Sequence, residues 1–268
     1  MGEEDFGQLA ESPELAEAVL SRVQTQRPDV TLDDLREALD GCDDPGGPGR
    51  RWWTLDPVDG TKGFLRDEQY AIALALVEDG RVVLAAMGCP NLPYFGEPGD
   101  PDPTGPVGVL FVAELGAGTA MMPLFEATAD QEGEPVQAAA PSSTSQARYA
   151  ESVEAAHSNQ TESARIGMAL GITSEPVRLD SQAKYAMVAR GDASIYLRVP
   201  HGDYRENVWD HAAGMLVVSE AGGRVSDVDG KPFDITTGQR MTGNRGAVVT
   251  AAGIHDEVVA AVRSVLEG

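Results

Sequence analysis

At 268 residues, 42% of them hydrophobic and 24% charged, the chain is long enough to bury a substantial core, as one large domain or two modest ones. No apolar run reaches the roughly 18 residues of a membrane span, and the start Met1-Gly2-Glu3-Glu4-Asp5 lacks the features of a signal peptide, so a soluble cytoplasmic protein is expected. A balance of 43 acidic against 20 basic side chains, net charge −23, excludes polymeric nucleic acid as a partner, because phosphate backbones are held by basic surfaces.

In chain order, residues 13–24 (PELAEAVLSRVQ) place Leu15, Ala18, Val19 and Val23 on one helical face behind Ser12 as N-cap. A short helix follows Thr31, and 43–49 (DDPGGPG) is loop by composition. Residues 51–55 (RWWTL) read as a strand that delivers Asp56 to its end. The runs 70–77 and 81–87 flank Asp79-Gly80, a hairpin signal, because that pair supplies the positive φ angles of a tight turn. Strands are expected over 107–112 and 118–123, and the small, polar 137–147 sets a domain boundary near residue 141. Beyond it come a helix at 163–170, a strand at 177–179, and a helix at 181–190 capped by Ser181 or Asp180. A strand at 193–198 and a helix at 209–221, opened by Asp210 and stopped by Gly222-Gly223, follow. A strand at 246–251 and a helix at 256–266 end the chain. Cys42 and Cys89 form no CxxC and read as reduced thiols.

The stretch 55–64 (LDPVDGTKGF) carries the chemistry. Asp56 and Asp59 stand three apart across a proline-fixed bend and can converge, while Gly60 lets the chain turn so that following N–H groups point outward. Converging carboxylates repel by roughly 4 kcal/mol per pair at 4 Å and an effective dielectric near 20, so they need a cation. Hard oxygen ligands with open positions suit Mg²⁺, which bridges carboxylates to substrate phosphate. Gly60, Thr61 and Lys62 could then hold phosphate oxygens through backbone N–H groups. Alone, DxxDG also fits an acid-rich turn.

Three segments taken together, "GEED" at 2–5, "WTLDPVDGTKGFLR" at 53–66 and "WDHAAGMLVVSEAGG" at 209–223, resemble the inositol monophosphatase superfamily of metal-dependent phosphatases. Within it, the turn Gly-Thr-Lys-Gly-Phe and "LDSQAKYAMVARGDASIYLR" at 179–198 are most similar to 3′(2′),5′-bisphosphate nucleotidases, with "EAAHSNQ" at 154–160 a weaker match. The resemblance implies an α/β (α+β) fold, a layered αβαβα sandwich of the sugar-phosphatase type. Residues 1–140 would form an α+β metal-binding domain, and 141–268 an α/β domain giving nucleotide contacts and one metal ligand. Two or three Mg²⁺ would be held by Glu3, Asp56, Asp59, Asp210 and the Val58 carbonyl, with Thr61 and Asp59 serving catalysis. A small phosphorylated nucleotide would be contacted by Gly60, Thr61, Asp210, His157, Ser158, Ser181, Lys184 and Arg198. In an acidic chain with only three lysines, cations are needed for a second phosphate beyond the metals' reach, although a helical lysine or a strand-end arginine is ordinarily solvated. His201 and His211 are read as non-catalytic.

The implied reaction removes the 3′-phosphate of adenosine 3′,5′-bisphosphate, with the sulfated 3′-phosphoadenylyl sulfate as a second substrate. The alternatives are an inositol phosphate phosphatase and a catalytically impaired metal- or nucleotide-binding fragment. The resemblance also implies an N-terminal helical segment before "GEED" that this sequence lacks, and residue 3 is placed where chain ends fray. No GxxxxGK[ST] or strand-linked GxGxxG supports an ATPase or dinucleotide site, and "DVDGKPFD" at 227–234 lacks EF-hand spacing. Oligomeric state is left open.

Overall fold

The computed structural model of the protein describes residues 1–3, 7–98, 100, 102–128, 130–153, 160–200, 202 and 204–268. Three helices come first: α1 (Gly7–Glu11), α2 (Pro13–Gln24) and α3 (Leu32–Asp40). Ser12 caps α2 by accepting from Leu15 N–H at 3.3 Å, with Pro13 in the first turn. Thr31 and Asp34 cap α3 reciprocally.

A six-stranded antiparallel sheet follows in simple meander order: β1 (Arg51–Asp59), β2 (Ala71–Glu78), β3 (Arg81–Pro93), β4 (Val107–Glu114), β5 (Gly118–Pro123) and β6 (Glu134–Pro135). The short helix α4 (Thr61–Leu65) joins β1 to β2. The β2–β3 hairpin turns on Asp79 and Gly80, both at positive φ as the dipeptide requires.

The second sheet has the order β10-β11-β9-β7-β8. Its strands are β7 (Tyr149–Glu151), β8 (Val177–Arg178), β9 (Ile195–Arg198), β10 (Gly223–Ser226) and β11 (Ala247–Ala251), parallel where β7 meets its neighbours and antiparallel elsewhere. The helices of this half are α5 (Gln160–Ala169), α6 (Ala183–Arg190), α7 (Ala212–Glu220) and α8 (His255–Glu267). The order of layers is sheet, α6 and α7, sheet, then α5 and α8, since α6 and α7 meet strands of both sheets while α8 meets β11 and α5. This is the mixed α/β layering that the sequence predicts.

The core explains the middle layer. Ala71, Ala73, Ala75, Ala85 and Ala113 line the inner face of the first sheet beside Met87 and Phe111, and small residues let a helix lie close. Helix α7 is buried on nearly every side and is accordingly apolar all round. Its Gly214 faces the ring of the fully buried Tyr185 so closely that a Cβ would clash. The main buried cluster runs from Met1 and Trp52 to Val249 and so draws on both sheets.

Several elements differ from expectation. β1 continues past Asp56 to Asp59, and β3 continues to Pro93, because the ladders persist where the apolar alternation has already broken. Helix α6 begins at Ala183 behind Gln182, not at Ser181 or Asp180; Ser181 has φ +72, and its hydroxyl still accepts from Ala183 N–H at 3.1 Å. Asp210 lies in a 3₁₀ turn, Val208–Asp210, before α7, not in the helix. Gly222, at φ +85, ends α7, whereas Gly223 already belongs to β10. Among the described residues no helix is long and apolar enough to cross a membrane.

Candidate active site

Asp56 and Asp59 are three apart, so in a regular strand they would face opposite sides. The β1–β2 register removes the conflict: Asp56 pairs with Ala73 and Asp59 with Ala71, three steps on β1 against two on β2. That one-residue bulge at Pro57-Val58, where proline has no ladder N–H to give, turns both carboxylates to the same side. Val58 N–H donates to Asp56 at 3.2 Å, and the Thr61 hydroxyl makes a long 3.4 Å bond to the Val58 carbonyl.

Gly60 then reverses the chain at φ +87, and its Cα lies so near Ser181 that an added Cβ would come within 2.7 Å of the Ser181 Cβ. The contact joins the two halves. Gln182 N–H donates to the Asp59 carboxylate, and the Gln182 side chain donates to the Trp209 carbonyl at 3.1 Å, just before Asp210. Carboxylate oxygens of Asp56, Asp59 and Asp210 thereby lie within 4.8 Å of one another.

Residues 1–3 lie beside β1, with Gly2 bridged in parallel to Leu55, Glu3 N–H donating to the Leu55 carbonyl at 3.2 Å and Gly2 N–H to the Cys42 carbonyl at 2.9 Å. Residue 3 is thus held by backbone pairing instead of fraying, and the Glu3 carboxyl reaches the cavity and hydrogen-bonds Asp56.

Glu3, Asp59 and Asp210 line a cavity of about 390 Å³, with Asp56 buried behind them, and the walls also include Val58, Gly60, Thr61, Lys62, Ser181, Lys184, Tyr196, Arg198 and Tyr204. Lys184 is not a solvated helix lysine. It is 4% exposed, donates to the Leu179 carbonyl at 3.3 Å and lies 5.4 Å from the centre of the Tyr196 ring. Arg198 pairs with Glu206 at 2.8 Å and stands 3.7 Å from Asp210. His157 and Ser158 fall outside the described residues.

The cavity's electrostatics follow from this crowding. Burial, then Asp59, Glu3 and Asp210, push the Asp56 carboxyl up to about 10. Burial and Asp210 also raise Asp59, against the pull of Lys184, Arg198 and the Gln182 N–H. Burial lowers Lys184 to about 8 although Asp59 favours its charge. Left to themselves, the carboxylates cannot all ionise at neutral pH. An all-oxygen donor set with that deficit of positive charge fits a hard divalent cation. The neighbouring cluster of Glu206, Asp210 and His211 does not fit one, because Arg198 already pairs with Glu206 and both His211 ring nitrogens are engaged. Burial would raise Glu206, yet Arg198 and His211 hold it down at about 2.

Glu206, Tyr196 and Tyr204 were not anticipated. Glu206 and Tyr204 come from an irregular segment between β9 and the 3₁₀ turn, which has no periodicity to read, and Tyr196 reads as an ordinary strand aromatic.

The chain is 46% identical over 241 residues to a 3′(2′),5′-bisphosphate nucleotidase of Emericella nidulans, covering 87% of this chain and 68% of that protein. It is 41% identical to a 3′(2′),5′-bisphosphate nucleotidase of Schizosaccharomyces pombe, over 99% of this chain and 77% of that protein. Among solved structures it is similar to an IMPase of Thermotoga maritima, with TM-score 0.58, 25% identity, and 82% and 71% of the two chains covered. The fold also matches SuhB of Mycobacterium tuberculosis, with TM-score 0.57, 22% identity and 98% of each chain covered. The model of the inositol monophosphatase family matches residues 10–267, and the chain belongs to that family.

Proposed function

We propose that this protein is a Mg²⁺-dependent phosphatase that removes the 3′-phosphate of adenosine 3′,5′-bisphosphate to give AMP and phosphate, with 3′-phosphoadenylyl sulfate as a second substrate. The relatives named as bisphosphate nucleotidases support the substrate class. One observation carries the reading for this chain: a single cavity is lined both by acids of the converging carboxylate cluster and by the cations Lys184 and Arg198. A substrate with two phosphates matches that lining, because metal-bound acids can take one phosphate and the two cations the other.

In this reading Glu3, Asp56, Asp59, Asp210 and the Val58 carbonyl hold two or three ions. When bound, the ions offset phosphoryl charge and make water more acidic. Asp59 is kept in place by Gln182 N–H, so its orientation does not depend on the ion. The Thr61 hydroxyl, one long bond from the Val58 carbonyl, is positioned to orient the attacking water. That water adds to phosphorus in line with the 3′-oxygen; the P–O3′ bond breaks, and the ribose oxygen leaves with a proton. Ser181, Lys184 and Arg198 hold the ribose and 5′-phosphate, and His157 and Ser158 stand near the base. Free thiols at Cys42 and Cys89 and the absence, among the described residues, of a membrane-length apolar helix fit a cytoplasmic setting.

The test is phosphate release from adenosine 3′,5′-bisphosphate and from an inositol monophosphate, with and without Mg²⁺. The bisphosphate is expected to react faster and only with metal. Arg198→Ala is expected to raise its KM on the order of 10-fold or more, as loss of a charge-assisted phosphate contact does. A preference for inositol phosphate, or no Mg²⁺ dependence, refutes the reading.

A further inference from the structure

Arg198 has two anionic neighbours of unequal standing. Its guanidinium lies 2.8 Å from Glu206 and 3.7 Å from Asp210, a member of the carboxylate cluster. Glu206, 6% exposed, also meets His211 Nε2 at 3.3 Å. His211 is fully buried, and its Nδ1 lies 2.5 Å from the Tyr185 hydroxyl. The neutral tautomer that satisfies both contacts has Nε2–H donating to Glu206 and Nδ1 accepting from Tyr185. Tyr185 packs edge-on against Tyr196 at 5.2 Å, and that ring carries the Lys184 ammonium. A continuous buried chain therefore ties the two cavity cations together behind the wall.

Resting on the proposed function, we propose that Glu206, fixed by His211 and Tyr185, is a positioning residue that sets the enzyme's preference for a second phosphate by holding Arg198 off Asp210. Without a carboxylate at position 206, the nearest anion to Arg198 is Asp210. The guanidinium then swings onto it, leaves the 5′-phosphate and competes for an oxygen of the cluster. Glu206 thus keeps the guanidinium available to the second phosphate and the cluster oxygens available to metal.

The test uses the full chain with Mg²⁺ and two substrates, adenosine 3′,5′-bisphosphate and adenosine 3′-monophosphate. The readout is the 5′-phosphate advantage, the ratio of kcat/KM for the first over the second. Glu206→Gln, which keeps the shape and removes the charge, is expected to cut the advantage about 10-fold, mainly through KM for the bisphosphate. Tyr185→Phe, which removes one hydroxyl, is expected to cut it roughly 2- to 3-fold and reads the same relay should Glu206→Gln fail to fold. An unchanged ratio in the folded variants overturns the inference while leaving the functional reading intact. A wild-type enzyme with no advantage for the bisphosphate overturns both.

Discussion

Asp56 sits at the centre of the site's electrostatic crowding. It is 1% exposed and surrounded by Asp59, Glu3 and Asp210, so its proton is held to about pH 10 in the folded chain but is lost near pH 4 in the unfolded one. Between those values the folded state binds the extra proton, so the metal-free protein loses stability as pH rises from about 4 toward 10. Asp56→Asn is expected to flatten that slope and to raise the metal-free unfolding midpoint at pH 8. The same change should abolish the midpoint rise that Mg²⁺ gives the wild type and lower kcat/KM on the order of 10³-fold. Thermal unfolding with a chelator and with Mg²⁺ checks this, and a variant less stable than wild type in chelator contradicts it. His255 works in the opposite direction. Buried between Ser226 (3.0 Å) and Thr250 (2.8 Å), it is pushed down to about 4, chiefly by burial and then by Arg224, with Asp256 opposing. The unfolded chain takes up a proton near pH 6.5 that the folded chain refuses, so stability falls as pH drops from about 6.5 toward 4. Denaturant midpoints at pH 7 and pH 5 should differ more for the wild type than for His255→Gln; equal differences exclude His255 as the source.

At the scale of elements, the site depends on the junction between the β1 bulge and the start of α6. Gly60 lies at φ +87 against Ser181, so Gly60→Ala meets both backbone strain and a 2.7 Å contact. We expect a stability loss of about 1 to 3 kcal/mol and a fall in kcat/KM of about 10-fold or more, since the displaced 181–182 segment carries the N–H that holds Asp59. A stable Gly60→Ala enzyme of normal activity shows instead that the junction yields without cost. Much of this architecture was legible in the sequence. Helix α2, the β2–β3 hairpin and α8 have the periodicity, caps and turn residues that local physics dictates. The convergence of Asp56 and Asp59 was legible as well, though not its cause, because a bulge is a property of the β1–β2 register and needs the partner strand to be known. Strands as short as β7 and β10 escaped for the same reason: three or four residues show no period, and Gly223 looks like a helix stop as much as a strand start. The pairing of Glu206 with Arg198 depends on a loop meeting a strand end, and nothing local records it.

For the whole molecule, a net charge of −23 sets up self-repulsion that the fold has to withstand, and the 20 basic residues offset it only locally. Surface ion pairs such as Arg27–Asp29 and Arg224–Asp256 are well exposed, and pairs of that kind contribute little. Added salt weakens such pairs slightly but screens every long-range acid–acid repulsion, since the Debye length shrinks to about 3 Å at 1 M. The second effect outweighs the first because 43 acids face 20 bases, so the unfolding midpoint is expected to rise by several degrees between about 0.05 M and about 1 M KCl. A typical basic or neutral domain rich in surface pairs should instead respond weakly or lose stability over the same range. The measurement is a salt series of thermal unfolding at pH 7 with Mg²⁺ held saturating, so that occupancy of the acidic cluster stays constant while general screening changes. Because Lys184 is buried and Arg198 only partly exposed, KM for the bisphosphate should change less across the series than ordinary surface-bound anions would imply. A midpoint that falls steadily with KCl would mean that specific ion pairs, not net repulsion, dominate the electrostatics of this chain.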